Sequence, residues 1–180
     1  MGNGYTGRML FIDLSQGKIE EEALDESLTR DYMGGVGIGA KILFDRMEPG
    51  VDPLGADNIL GFVTGPCTGT RTLTSSRWEL VGKSPLTGTW GDGNSGGYFG
   101  ANLKKAGFDA LFCTGISDAP VYIFIDDGTV EIRDAGHLWG KTTKEVDDVL
   151  KAELGADVRT VSIGPAGEKL SLIACPIDDR

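Results

Sequence analysis

Two stretches of this chain carry the same short pattern. Phe11-Ile12-Asp13, a turn ending in Gly17 and then Lys18-Ile19-Glu20 recur as Phe124-Ile125-Asp126, a turn ending in Gly128 and then Thr129-Val130-Glu131. Alternating apolar and polar residues around a glycine turn read as a β-hairpin, and Asp126-Asp127-Gly128 is such a turn. Each hairpin precedes helical periodicity, then a strand-like run closing on Gly-Pro (Gly65-Pro66, then Gly164-Pro165), then a further strand-like run. The chain therefore reads as two copies of one unit, roughly 1–117 and 118–180, related by a pseudo-twofold axis. In the first copy the final strand at 78–82 runs on into a glycine-rich segment, whereas the chain ends five residues beyond the matching run at 171–175, so the second repeat reads as truncated. By this alignment Arg180 falls in a connection and is a solvated arginine.

Strand-like runs lie at 9–14, 18–22, 59–63, 78–82, 110–114, 121–125, 129–133, 160–163 and 170–175, and helical periodicity at 24–33, 38–47, 97–106 and 143–154. Asp25 and Thr142 are of the type that caps helix starts, and Gly107 and Gly155 of the type that stops helices. Hairpin-led order of this kind predicts an α+β fold of two β-sheets with flanking helices rather than a doubly wound sheet. The run Glu20-Glu21-Glu22 reads as a solvated strand edge that discourages pairing with other chains.

The densest chemical signal is Trp90-Gly91-Asp92-Gly93-Asn94-Ser95-Gly96-Gly97-Tyr98-Phe99-Gly100, a polar, glycine-rich loop leading into a helix. Glycines admit a ligand close to the backbone, and the first N–H groups of a helix lack intrahelical partners, so this is a place for a phosphate. Asn94 and Ser95 are good N-cap residues. Arg77, at the start of the strand that leads to the loop, can fork onto phosphate oxygens. Trp78 and Trp90 flank the segment.

Other glycine clusters carry weaker signals. Gly34-Gly35-Val36-Gly37-Ile38-Gly39-Ala40 has dinucleotide-like spacing but follows a helix where that fingerprint needs a strand, so it reads as a turn between helices with close backbone packing. Gly164-Pro165-Ala166-Gly167-Glu168-Lys169 lacks the spacing, the hydroxyl and the helix of a phosphate-binding loop. His137 reads as a structural loop histidine. The three cysteines, Cys67, Cys113 and Cys175, are isolated and read as buried small residues, Cys67 least securely; they cannot hold an iron–sulfur cluster by themselves.

The run SSRWELVGKSPLTGTWGDGNSGGYFGANLKKAGFDAL resembles the N-terminal domain of tungsten-containing aldehyde:ferredoxin oxidoreductases. The resemblance extends over nearly the whole chain, through Gly4-Tyr5-Thr6-Gly7-Arg8, Asp52-Pro53-Leu54, Gly65-Pro66-Cys67-Thr68-Gly69-Thr70, Pro120-Val121-Tyr122-Ile123 and Ile163-Gly164-Pro165-Ala166-Gly167-Glu168. It implies that residues 1–180 form an N-terminal tungstopterin-binding domain, incomplete at its C-terminal end, serving as a base for tungsten held by two pyranopterins. By motif match Arg77 would contact a pterin phosphate. Asn94 would offer its backbone carbonyl to a magnesium ion bridging the two phosphates, and Ser95 and Gly96 would supply backbone contacts. The implied reaction oxidises an aldehyde to a carboxylic acid, with electrons passing through a [4Fe–4S] cluster to ferredoxin or a related electron-transfer protein. The cluster cysteines and substrate-pocket residues belong to later domains of the family, so no catalytic residue is assigned here, and the piece alone is expected to be inactive. A non-catalytic pterin- or phosphate-binding module, or a degenerate paralogue, is the alternative.

A net charge of −10 disfavours nucleic-acid and anionic-membrane partners, so any anionic ligand must be held locally. With 40% hydrophobic residues and neither a long apolar stretch nor a signal-peptide pattern, the expectation is a cytoplasmic globular protein. Homo-oligomerisation is left open.

Overall fold

The computed structural model describes residues 4–179. Its strands are β1 (Arg8–Asp13), β2 (Lys18–Ala23), β3 (Leu60–Thr64), β4 (Trp78–Lys83), β5 (Trp90–Ser95), β6 (Ala110–Thr114), β7 (Val121–Asp126), β8 (Thr129–Asp134), β9 (Val161–Ser162) and β10 (Ile177–Asp178). The helices are α1 (Glu26–Tyr32), α2 (Val36–Arg46), α3 (Phe99–Lys105), α4 (Thr143–Leu154) and the single turn α5 (Pro165–Glu168). The α+β class is as expected. A six-stranded sheet runs in the order β2-β1-β6-β3-β4-β5, and two small ladders, β7-β8 and β9-β10, complete the strands. The β1–β6 pair is parallel and the other neighbours are antiparallel.

The central strands are buried on both faces, which is why their sequences read as nearly continuous apolar runs. Along β1, Met9 packs on one side with Ile38, Ile42 and Leu43 of α2, while Leu10 and Ile12 pack on the other with Leu103, Phe108 and Leu111. The second hairpin contributes Ile123, Ile125, Val130 and Ile132 to that other face, so both hairpins share one cluster. Side chains buried this completely contribute about 1.5–3 kcal/mol each. Helix α4 closes a third cluster over Ala135 and Leu138 through Val146 and Leu150. Its start is fixed by the capping box of Thr142 and Glu145, and Asp25 caps α1 through the Ser27 amide. The acidic strand β2 lies at a sheet edge, as its charge pattern predicts.

The second half has a similar but not identical order: hairpin β7-β8, one helix where the first half has α1 and α2, strand β9, then α5 after Gly164 before an antiparallel partner strand. That partner is not the expected run at 170–175. Leu170 takes a left-handed φ of 55°, its amide bonds to Gly167 O and that of Ser171 bonds to Ala166 O, so the chain leaves α5 through a turn. The partner strand is β10, paired with β9 as β4 is paired with β3. Consequently Cys175 is exposed, not buried; Cys67 is exposed too. Burial pushes the Cys113 thiol up to about 12, so it stays protonated, a partly buried residue packed against the second cluster. His137 is a surface residue whose Nε2 lies 3.3 Å from Glu153. Arg180 lies outside the described residues.

Side chains pack closely around Gly61 in β3, where an added Cβ would sit 2.6 Å from Phe112 Cε1 and 2.8 Å from Val81 Cγ2. Gly61→Ala should lower the unfolding free energy by about 1–3 kcal/mol through overpacking, measured by urea denaturation.

Candidate functional site

The glycine-rich segment is not a loop for most of its length. Residues 90–95 form the edge strand β5, joined to β4 by a hairpin in which Ser84 N–H donates to Thr89 O at 2.8 Å. An edge strand needs no side chains to fill a neighbouring groove, so it tolerates Gly91 and Gly93; at Gly91 a Cβ would come within 3.0 Å of Ser84 Cβ. The helix begins only after Tyr98, and no side chain caps it, which corrects the reading of Asn94 and Ser95 as N-caps.

Strand alternation sorts the candidate residues onto two faces. Asn94 lies opposite Glu79, and Arg77 precedes Glu79 by two positions on the same face. The Arg77 guanidinium donates to Asn94 Oδ1 at 2.6 Å, and the Asn94 amide nitrogen donates to Glu79 Oε1 at 2.5 Å. The Asn94 side chain is thereby committed to its neighbours, which leaves only its main chain to offer a ligand. Arg77 uses one of five N–H donors in this row. Arg77 also borders a hollow of about 340 Å³ whose lining includes Gly34, Gly35, Gly65, Glu79 and Asn94 beside apolar Met33 and Val36. The Gly34-Gly35 turn comes close because it has no side chains: a Cβ on Gly34 would meet Thr64 O at 2.8 Å, and Gly35, at φ 51°, donates its N–H to the same oxygen at 2.9 Å. Glu79 Oε2 is buried here with no hydrogen-bond partner.

On the opposite face, Trp78 Nε1 and Ser95 Oγ both donate to Asp178 Oδ2, at 3.0 and 3.2 Å. The structure therefore brings Arg77 and Asn94 together and directs the Ser95 side chain away from them. Gly96 lies in the turn between β5 and α3, where a Cβ would meet nothing closer than Ser76 Oγ at 3.6 Å. Gly97 is the constrained glycine, at φ 69° with Asp178 Oδ2 3.0 Å from where its Cβ would be. Trp78 is buried, whereas Trp90 is largely exposed and donates to Asp92. Glu79 was legible from period-two alternation starting at Arg77; Asp178, a hundred residues from Trp78, had no local signal.

Comparison with known proteins bears out the resemblance. Residues 9–180 match the family model described as aldehyde ferredoxin oxidoreductase, N-terminal domain. The chain belongs to the aldehyde ferredoxin oxidoreductase family. It is 48% identical over 166 residues to a tungsten-containing aldehyde ferredoxin oxidoreductase of Pyrococcus horikoshii, an alignment covering 92% of this chain and 27% of that protein. With the Pyrococcus furiosus enzyme of the same name it shares 45% over 177 residues, covering 98% and 29% respectively. An aliphatic sulfonate oxidoreductase subunit of Pyrococcus furiosus is 35% identical over 158 residues, covering 86% of this chain and 25% of that one. Among solved structures, the active-site complex BamBC of benzoyl coenzyme A reductase, with bound 1,5-dienoyl-CoA, matches at a TM-score of 0.95 and 37% identity, over 99% of this chain and 27% of its own. The chain thus spans less than a third of the length of the curated relatives it matches. In this aldehyde ferredoxin oxidoreductase domain, no helix among the described residues is long and apolar enough to cross a membrane.

Desolvation raises the Asp178 pKa above its ordinary value, outweighing the hydrogen bonds from Trp78 and Ser95, and its Oδ1 has no partner. A carboxyl with a raised folded pKa contributes stability that is present below the unfolded value of about 3.9 and is lost as pH rises through the folded value. Asp178→Asn keeps an oxygen acceptor for both donors and removes the charge. It should raise the melting temperature at pH 7, with the advantage shrinking toward pH 4, as read by calorimetry across that range.

Proposed function

We propose that this chain is the cofactor-platform domain of a tungsten enzyme that oxidises aldehydes to carboxylic acids and passes the electrons through a [4Fe–4S] cluster to ferredoxin or a similar acceptor. The observation that carries the reading is the Arg77–Asn94–Glu79 row beside a glycine-walled hollow, in a domain that matches tungsten-containing relatives over most of its length.

The residues present fit a phosphate-bearing pterin with an accompanying cation. Arg77 supplies a planar fork of donors suited to phosphate oxygens. Glu79 next to it would repel a bare phosphate, but its unpaired buried Oε2 matches a neighbouring cation or donor, and hard cations such as magnesium take oxygen ligands. The Asn94 carbonyl is the main-chain oxygen assigned to that ion. A side chain at Gly34 would press on the Thr64 carbonyl and one at Gly35 on Glu79 Cγ, so the backbone there stays bare beside Arg77, and Gly96 adds a further position without a side chain. When bound, the tungsten pterin supplies the two-electron redox chemistry. This chain's residues bind and orient: Arg77 offsets phosphate charge, Asn94 locks the guanidinium in place, Glu79 holds the Asn94 amide, and the backbone at Ser95 and Gly96 contacts the ligand.

No group of three or more His, Cys, Asp or Glu among the described residues could hold a metal ion. The contacts this domain would make are with the cofactor's phosphates and an accompanying cation, through Arg77, Asn94, Ser95 and Gly96. An aldehyde is the substrate class taken from the more similar relatives.

In protein purified from tungstate-supplied cells, Arg77→Ala should lose most of its tungsten and pterin, and Arg77→Lys should recover part, because a lysine point charge lacks the fork. Metal and pterin analysis of the three preparations decides; equal contents would make Arg77 an ordinary surface residue. Gly96→Ala tests the backbone contact separately. With no atom closer to the Cβ than Ser76 Oγ at 3.6 Å and no positive φ, the cofactor-free protein should melt near cofactor-free wild type while cofactor content falls. Retained cofactor would show that this turn only redirects the chain.

A further inference from the structure

We infer that Thr68 is a positioning residue for Arg77, holding the arginine's main chain at the site through its side-chain hydroxyl. The inference rests on the reading of Arg77 as an anion ligand given above.

Arg77 follows a segment with little packing of its own. Residues 69–74 are exposed, and Thr74 takes a left-handed φ of 60°. A guanidinium delivered by such a segment would be poorly placed unless its backbone were tied to the core. Thr68 provides that tie. It is 4% exposed, its Oγ1 donates to Arg77 O at 2.7 Å, and the same oxygen accepts from Gly65 N–H at 3.0 Å. Gly65 is itself anchored, because its carbonyl accepts from the Lys104 ammonium at 2.9 Å and Lys104 lies 3.2 Å from Asp109 inside the protein. A continuous line of hydrogen bonds therefore runs from a buried ion pair, through the Gly65 turn and one hydroxyl, to the backbone of the candidate ligand residue.

The methyl group of Thr68 has a separate task. At Gly100 of α3 an added Cβ would come within 3.2 Å of Thr68 Cγ2 and 3.0 Å of Trp78 Cβ, so the helix packs closely over both residues. Valine preserves that shape and deletes the hydroxyl, leaving Gly65 N–H and Arg77 C=O without their partner. Serine preserves the hydroxyl and deletes the methyl. The two substitutions separate the polar task from the packing task.

The test is a double-mutant cycle on this chain with inorganic pyrophosphate as the probe, its affinity read from chemical-shift titration of the Asn94 and Gly96 amides. Thr68→Val should weaken binding about fivefold, the value of one hydrogen bond, and Thr68→Ser should stay within about twofold of wild type. In the Arg77→Ala background, Thr68→Val should cause no further loss, because its effect passes through Arg77. Equal weakening in both backgrounds, or none in either, would overturn the positioning role while leaving Arg77 as a ligand. If Arg77→Ala alone leaves pyrophosphate affinity unchanged, the site reading fails and the role of Thr68 goes with it. Should Thr68→Val not fold, Thr68→Ala removes the same hydroxyl without added bulk and is read by the same criteria.

Discussion

A buried ion pair holds this domain's parts in register. Lys104 and Asp109 lie 3.2 Å apart with side chains 8% and 5% exposed. Two charges withdrawn from water are tolerated only when their remaining hydrogen-bonding capacity is met, and breaking one side of such a pair typically costs about 3–5 kcal/mol. Asp109 accepts from Thr6 N–H, Thr6 Oγ1 and Gly7 N–H at 3.1, 2.9 and 2.7 Å, and Lys104 donates to the carbonyls of Gly4 and Gly65. The main-chain carbonyl of Asp109 also accepts from Thr64 N–H and Oγ1. One pair thus joins the N-terminal Gly-Tyr-Thr-Gly segment, the end of β3, helix α3 and the entry to β6. Thr6 and Asp109 are separated by 103 positions, so this contact converts sequence-distant pieces into a single frame.

That frame places the candidate site at a sheet edge, where charge is managed differently. Arg77 and Glu79 sit side by side, linked through Asn94. On an acidic chain a lone arginine would be weakly placed to retain a polyanion, because the long-range field opposes it. On the proposed reading the local arrangement would answer this by geometry, with a directed fork, a fixed amide and glycine backbone close by, rather than by a surplus of positive charge. Two buried carboxylate oxygens, Glu79 Oε2 and Asp178 Oδ1, have no partner among the described residues. Unmet buried acceptors mark places where a donor or cation would be stabilising. They lie on opposite faces of the β4–β5 hairpin, so the acceptor beside the hollow is that of Glu79.

Much of the fold was legible in the sequence because it rests on local rules. Thr143–Leu154 is bounded by a capping box and a glycine at φ 112°, and both ends follow from residue type alone. The second hairpin likewise follows from Asp126-Asp127-Gly128 and its flanking alternation. The failures share a cause: tertiary pairing overrode local appearance. Glycine and polar residues at 90–95 look like loop, yet a partner strand on one side is enough to extend them. The apolar run at 170–175 looks like strand, yet a left-handed residue at 170 folds it back and passes the pairing to Ile177–Asp178. At the site, Arg77 and Asn94 were legible from chemistry. The Gly34-Gly35 turn reads as close packing from its sequence, but its position beside Arg77 arises from its contact with Thr64 at the end of β3 and with Gly65 after it.

Proteins named for aldehydes, for an aliphatic sulfonate and for benzoyl coenzyme A reduction share this domain's sequence or fold at 35–48% identity. A module that serves names so different is the part of each protein that substrate identity constrains least. The architecture accords with that division. The hollow is lined by Arg77, Asn94 and the Gly34-Gly35 and Gly65 backbone together with apolar Met33, Val36, Val63 and Pro66. If the edge hairpin holds the cofactor's charged tails as proposed, with its backbone tied to a buried ion pair, it can stay unchanged while other parts of a protein vary around the reacting end. On that proposal, a fixed phosphate-binding edge is what lets specificity be decided elsewhere.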